Sequence, residues 1–129
     1  MSAWRYQALQ LLPELKKVTE SAENPYDLWL EVHMYFEEAY DEGNQDMVKR
    51  IYEYLWWTCA QPRNPKAEND LFTAAACCLI EHIPEHPKAR KDMKRWWPRS
   101  KLLEYKSVFI GWMSEGDFEK LLSELYPTK

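Results

Sequence analysis

The sequence predicts an all-α protein with six or seven helices in antiparallel hairpins, arranged as a compact bundle or a short HEAT-like solenoid. Apolar residues recur at steps of three and four along most of the 129 residues, which is the spacing of one face of an α-helix. The chain has three glycines, too few for the many tight turns of an all-β fold. Its length predicts a single all-helical domain, 1–129, that is large enough to bury a core.

Proline, glycine and asparagine divide the first half of the chain into helices. Pro13 either kinks the first helix or begins a second one. Asn24 and Pro25 begin the next helix. Gly43 ends that helix as a C-terminal cap, and Asn44 begins the following one. The residues predicted to face the core share helical spacing and are Trp4, Ala8, Leu15, Val18, Trp29, Val32, Phe36, Ala39, Tyr40, Val48, Ile51, Tyr52, Leu55 and Trp56.

The second half begins with a loop that Pro62 and Pro65 bracket. We predict a fourth helix over about residues 66–83. Its three consecutive alanines, 74–76, allow neighbouring helices to approach closely, so this helix is predicted to be the most buried. The later helix boundaries are marked by Pro84, Pro87, the Trp96-Trp97-Pro98 break and Ser114, with Asp117 as a weak capping-box partner.

The formal net charge of −4 conceals two segments of opposite charge. The acidic segment, between Lys17 and Lys49, contains nine carboxylates and no lysine or arginine. The basic segment, between His86 and Lys106, contains eight bases and two acids. Charged surfaces of this kind steer partners of opposite charge, and the alternative is that each is an ordinary solvated helix face.

No catalytic or metal-binding motif is recognisable. Adjacent carboxylates such as Glu37 and Glu38 point about 100° apart on a helix, so they do not share one site. His33 and Glu37 do share a face, but a metal site needs more than two ligands. The three cysteines lack Cys-x-x-Cys spacing, and a Gly-rich phosphate loop is absent. We expect no cofactor and no enzymatic activity. The hypothesis of an enzyme remains open beside the two binding functions described below, and it would require a deep pocket that contains His33 or His82.

The N-terminal residues lack the basic region and long apolar run of a secretory signal. No stretch approaches the about 18 uninterrupted apolar residues of a transmembrane helix. Because the cysteine pattern does not suggest a disulfide framework, we expect a cytoplasmic protein.

The acidic segment is the leading candidate for binding a protein partner. Its carboxylates fall largely outside the apolar stripe of the helix between Pro25 and Gly43, and Tyr35 or Tyr40 is expected to act as an anchor. The predicted partner-binding residues are Glu31, Tyr35, Glu38, Asp41, Glu42 and Asp46.

The basic segment supports an alternative function, nucleic-acid binding. Lysine and arginine side chains interleaved with tryptophan can hold a phosphate backbone and stack on bases. The predicted nucleic-acid-binding residues are Lys91, Arg95, Trp97 and Arg99. Against this function, the chain is acidic overall, and the bases can instead pair with acids within the chain or across a homodimer. One tryptophan of each adjacent pair, 56–57 and 96–97, is expected near the surface.

Three segments resemble a group of small all-α bacterial proteins. They are residues 12–15 (LPEL), residues 35–44 (YFEEAYDEGN), and the run from Glu68-Asn69-Asp70-Leu71 to residues 78–83 (CLIEHI). The similarity covers about residues 11–126, and some members of the group look like immunity proteins of polymorphic toxin systems. The resemblance implies an inhibitor that docks onto a cognate toxin, and it defines no functional residue.

Overall fold

The computed structural model describes residues 1–128, and this part of the chain is all-helical, without a strand. The α-helices are α1 (Ala3–Leu11), α2 (Lys16–Ser21), α3 (Pro25–Glu42), α4 (Gln45–Cys59), α5 (Leu71–Cys78), α6 (Pro87–Trp96), α7 (Arg99–Glu104), α8 (Lys106–Phe109) and α9 (Glu115–Leu125). Short 3-10 segments occupy Pro13–Leu15, Ala67–Asn69 and Ile80–Glu85. The all-α prediction is confirmed, whereas the predicted count of six or seven helices is not.

The predicted fourth helix is shorter than the sequence suggested. The α-helix ends at Cys78, and the chain continues as the 3-10 segment Ile80–Glu85, which contains Pro84. Proline lacks the N–H of an α-helical hydrogen bond, and its ring clashes with the carbonyl four residues earlier. His82, which falls within the predicted fourth helix, therefore lies in a 3-10 turn.

The helix starts and stops around α3 follow local capping chemistry. The side chain of Asn24 accepts the N–H of Asp27 at 3.0 Å, and Pro25 occupies the first helical position. Gly43 ends α3 with φ of 71°, a left-handed conformation that glycine adopts without strain. Asn44 then caps α4 by accepting the N–H of Met47. These predicted boundaries are confirmed.

The chain divides into two compact units, Met1–Leu79 and the part that begins at Ile80. The first unit is built around α3, which packs against α4 and α5, while α1 packs on α4. In its core, Trp29 stacks on Tyr54 with ring centroids 5.1 Å apart, and the three alanines 74–76 are buried as predicted. That the two units form one domain stays a prediction.

The second unit has its own aromatic core. Trp97 lies 5.3 Å from Phe109 and 5.4 Å from Tyr105 between ring centroids, and Phe109 lies 6.0 Å from Phe118. Helix α6 packs against both the 3-10 segment Ile80–Glu85 and α9. Ser114 caps α9 by accepting the N–H of Asp117 at 3.0 Å, as the sequence predicted.

The charge separation follows this division. The first unit has thirteen Asp and Glu against seven Lys and Arg, a formal charge of −6. The second has eight acids and ten bases, a formal charge of +2. The acidic segment therefore belongs to one unit and the basic segment to the other.

A candidate protein-binding face on α3

The outward side of α3 presents two parallel rows of side chains. One row, at steps of four, three and four residues, contains Glu31, Tyr35, Glu38 and Glu42. The neighbouring row, with the same steps, contains Leu30, Met34, Glu37 and Asp41. We call these eight residues the acidic face. It contains five of the six predicted partner-binding residues.

Two large apolar side chains are exposed within the acidic face. Leu30 is 56% exposed and Met34 is 62% exposed, although both belong to a long helix with a well-filled buried side. Single exposed apolar residues are common on protein surfaces, but these two lie four residues apart, so they are neighbours on one turn of the helix. Exposed apolar side chains bordered by polar or charged groups are common in protein-binding surfaces.

The sequence-based prediction missed Leu30 and Met34. It assigned the apolar residues of this helix to the stripe Trp29, Val32 and Phe36, and this stripe is indeed buried. Leu30 and Met34 fall on the opposite side of the helical projection. The signal that could have found them is their position: apolar residues on the charged side of an otherwise amphipathic helix.

Two exposed carboxylates near the C-terminal end of the acidic face lie close to each other. Glu38 and Glu42 are exposed and four residues apart, so they repel each other. The carboxylate of Glu37 lies 3.8 Å from the imidazole Nε2 of His33. The last turn of α3 contains no basic residue. Because the C-terminal end of a helix carries partial negative charge, carboxylates there are unfavourable for the stability of the helix. The arrangement is therefore poor for folding and suited to receiving positive charge.

Two open clefts border the acidic face, one near each end of α3. Tyr35, Glu38 and Glu42 line a cleft of about 140 Å³ together with Met47 and other residues at the start of α4. At the other end, a cleft of about 260 Å³ lies between α2 and α3 and includes Leu30 and Glu31. Three of the predicted residues are thus brought together at one concave edge.

Two residues named in the prediction of the partner site lie outside the acidic face, and one of them, Tyr40, is corrected. Tyr40 is only 4% exposed and packs edge-on against Phe36, so it cannot act as an anchor for a partner. Asp46 is exposed at the start of α4, outside the acidic face, and it accepts a hydrogen bond from Arg50 at 2.9 Å.

The Asp46 ion pair belongs to a structural cluster. Arg50 also donates to Glu14 at 2.7 Å and to the carbonyl of Leu11 at 3.0 Å. The hydrogen bond between Arg50 and Glu14 lowers the pKa of the Glu14 carboxyl group and raises the pKa of the Arg50 guanidinium. Arg50 therefore fixes the segment that follows α1 onto α4, and Asp46 contributes to that contact.

The basic segment keeps only part of its predicted nucleic-acid site. Trp97 has no exposed surface and packs in the aromatic core of the second unit, so it cannot stack on a base. Its neighbour Trp96 is half-buried, which confirms the expectation that one member of this pair lies near the surface. Trp56 and Trp57 are both half-buried.

The predicted basic residues of this site are exposed. Lys91, Arg95 and Arg99 all lie at the surface. Arg95 binds Asp92 at 2.8 Å and lies over the ring of Trp96 at 4.8 Å from its centroid. This pairing engages one of the charges that the site would need for phosphate.

Neither a metal cluster nor a membrane span is found in residues 1–128. No three His, Cys, Asp or Glu side chains in this range are grouped so that they could hold a metal ion. The helices of the same range are all too short or too polar to cross a bilayer. That the protein is not an enzyme stays a prediction.

The chain matches no protein-family model, and searches of curated proteins and of solved structures give no match.

Proposed function

We propose that this protein is a non-enzymatic binding module whose acidic face docks onto a basic surface of a protein partner. Following the resemblance noted above, the proposed partner is a cognate bacterial toxin, and the protein is its cytoplasmic immunity-type inhibitor. The proposed scaffold is a series of antiparallel helical hairpins. Helices α3 and α4, which are joined at Gly43 and Asn44, form one such hairpin.

The observation that carries this proposal is the exposure of Leu30 and Met34 among carboxylates. Apolar contact at the centre of an interface supplies affinity once water is excluded, whereas a charged rim contributes to the rate of association and to partner choice. The unfavourable carboxylates near the C-terminal end of α3 support the proposal, because a surface selected only for folding would not place them there.

The experiment is a pull-down with the protein encoded immediately upstream of this chain. We expect the wild type to capture that partner and the triple charge reversal E38K/D41K/E42K to lose it. The matched control is E53K/E68K/E104K, which changes the net charge by the same amount at exposed positions outside the acidic face. Absence of any captured partner, or equal capture by both triple variants, would contradict the proposal.

Nucleic-acid binding is the second candidate, supported by the exposed bases Lys91 and Arg99 and the half-buried Trp96. It predicts salt-dependent binding to mixed oligonucleotides that weakens in the R99E variant. Failure to bind mixed oligonucleotides at low salt would exclude it.

A further inference from the structure

We propose that a cleft in the second unit binds an organic cation, an alkylammonium or guanidinium group. The cleft has a volume of about 270 Å³ and lies among the 3-10 segment Ile80–Glu85, helix α6, the turn after α8, and helix α9. This site shares no residue with the acidic face, so the two proposals stand or fall independently.

The aromatic wall of the cleft is Trp112. Its side chain is exposed (59% for the residue), yet it is held in place on two sides. Its indole N–H donates to the carboxylate of Glu85, and its ring meets that of His82 at an interplanar angle of 67°, with centroids 4.8 Å apart. An exposed tryptophan fixed in this way offers a preorganised π surface, and tryptophan is the best aromatic partner for a cation.

The charges around the ring favour a cation over an anion. Three carboxylates line the cleft, those of Glu81, Glu85 and Asp117. The two bases in its lining are Arg90 and Lys120. Arg90 is already bound to Glu124 through two hydrogen bonds of 2.8 and 3.0 Å. The lining thus carries three carboxylates against two bases, and two of the carboxylates, those of Glu81 and Glu85, also face the imidazole of His82 at 3.7 and 3.1 Å.

Glu81 strengthens the preference for positive charge. It is half-buried, and this burial raises the pKa of its carboxyl group, so the ionised form is less well solvated than on an open surface. A Cβ atom at Gly111 would lie 3.6 Å from its carboxylate oxygen, which shows how closely the turn approaches it. A cation entering the cleft would supply part of the solvation that Glu81 has lost.

The size of the cleft and the ligand set limit the kind of cation. A volume near 270 Å³ lies at the small end of ligand pockets, which suits a side-chain head group or a trimethylammonium group rather than a nucleotide. A bare metal ion is disfavoured, because no metal-binding cluster occurs among the described residues. The head group can come from a small amine or from a lysine or arginine of a peptide.

The test is a titration followed by nuclear magnetic resonance with three cationic probes and one neutral isostere. The cations are choline, capped lysine and capped arginine; the neutral control is 3,3-dimethylbutan-1-ol, which replaces the ammonium nitrogen of choline with carbon. The first readout is the indole N–H resonance of Trp112, assigned by its loss in W112F. The second is saturation transfer to the probe, which also works for W112A.

We expect at least one cation to give a saturable shift of the Trp112 resonance and the neutral isostere to give none. W112A should weaken binding by about two- to thirtyfold, the range of a cation–π contact at exposed to desolvated sites. E81Q and E85Q should weaken it severalfold, while E104Q, at an exposed position outside the cleft, should not. Thermal unfolding of each variant establishes that it is folded.

The probes also distinguish the source of the cation. Tighter binding of choline identifies a small amine, and tighter binding of a capped residue identifies a peptide side chain; both support the proposal. It is overturned if no cation gives a saturable shift, if the neutral isostere binds equally well, or if E104Q weakens binding as much as E85Q.

Discussion

Helix α3 carries a carboxylate at each end, and the helix dipole should make their contributions to stability opposite in sign. Asp27 lies in the first turn, where the backbone N–H groups give partial positive charge. Glu42 is the last residue of the helix, where the carbonyl groups give partial negative charge. We predict that E42Q raises the free energy of unfolding and that D27N lowers it, although both substitutions remove one negative charge.

The magnitudes follow from the local contacts. Removing the charge of Glu42 relieves an unfavourable dipole interaction of about 0.3–1 kcal/mol and a repulsion with Glu38 of about 0.2–0.5 kcal/mol. We therefore expect a gain of about 0.5–1.5 kcal/mol for E42Q. Asp27 accepts the N–H of Glu23 at 3.1 Å in addition to its favourable position at the N-terminus, so D27N should lose about 0.5–1 kcal/mol.

The assay is urea unfolding at pH 7, at low salt and again in 1 M NaCl. Screening at 1 M reduces the Debye length to about 3 Å, so both effects should shrink together. If E42Q gains no stability at low salt, or if D27N changes in the same direction, the carboxylates at the end of α3 do not oppose folding. In that case they would no longer support a binding role for the acidic face.

Three further predictions concern packing and ion pairs. Ala75 is fully buried, so A75L should overpack the contacts of α5 and lower the free energy of unfolding by about 1–3 kcal/mol. A change within about 0.5 kcal/mol would contradict the burial of this helix in the core. W97A should lower the free energy of unfolding by about 3–5 kcal/mol because it leaves a cavity in the aromatic core of the second unit, whereas W96A should lower it much less. Denaturant unfolding measures both values, and equal losses would contradict the burial of Trp97. R50M should destabilise the protein at pH 7, and part of that loss, up to about 1 kcal/mol, depends on the charge of Glu14. Because the pKa of Glu14 is lowered in the folded state, this part is present above its unfolded pKa and should be lost as the pH falls through the folded-state pKa. A difference between wild type and R50M that is independent of pH would refute it.

The elements that the sequence predicts well are those controlled by local chemistry. Asn24, Asn44 and Ser114 cap helices as expected, because a side-chain oxygen within three residues of an unpaired N–H is enough to begin a helix. Gly43 ends α3 for an equally local reason, its left-handed φ. The apolar stripe of α3 was also correct, since a helix of eighteen residues repeats its pattern several times.

The parts that failed depend on contacts distant in sequence. The orientation of Trp97 could not be predicted from two adjacent tryptophans, because its ring is placed by Phe109 and Tyr105 after a break at Pro98. The exposed pair in the acidic face is different. Its positions were available in the sequence, but only the observed packing of α3 showed that Leu30 and Met34 are more than half exposed.

The most direct test of the central claim, that the acidic face binds a protein partner through its exposed apolar pair, is the affinity of the L30A/M34A variant for the protein encoded upstream. The matched control is L103A/I110A, which truncates two residues that are each 40% exposed in the second unit. Calorimetric titration should show L30A/M34A weakened at least about tenfold, the loss of more than 1 kcal/mol that marks residues central to an interface, and the control unchanged within about twofold. Equal affinities for the two variants would contradict the claim.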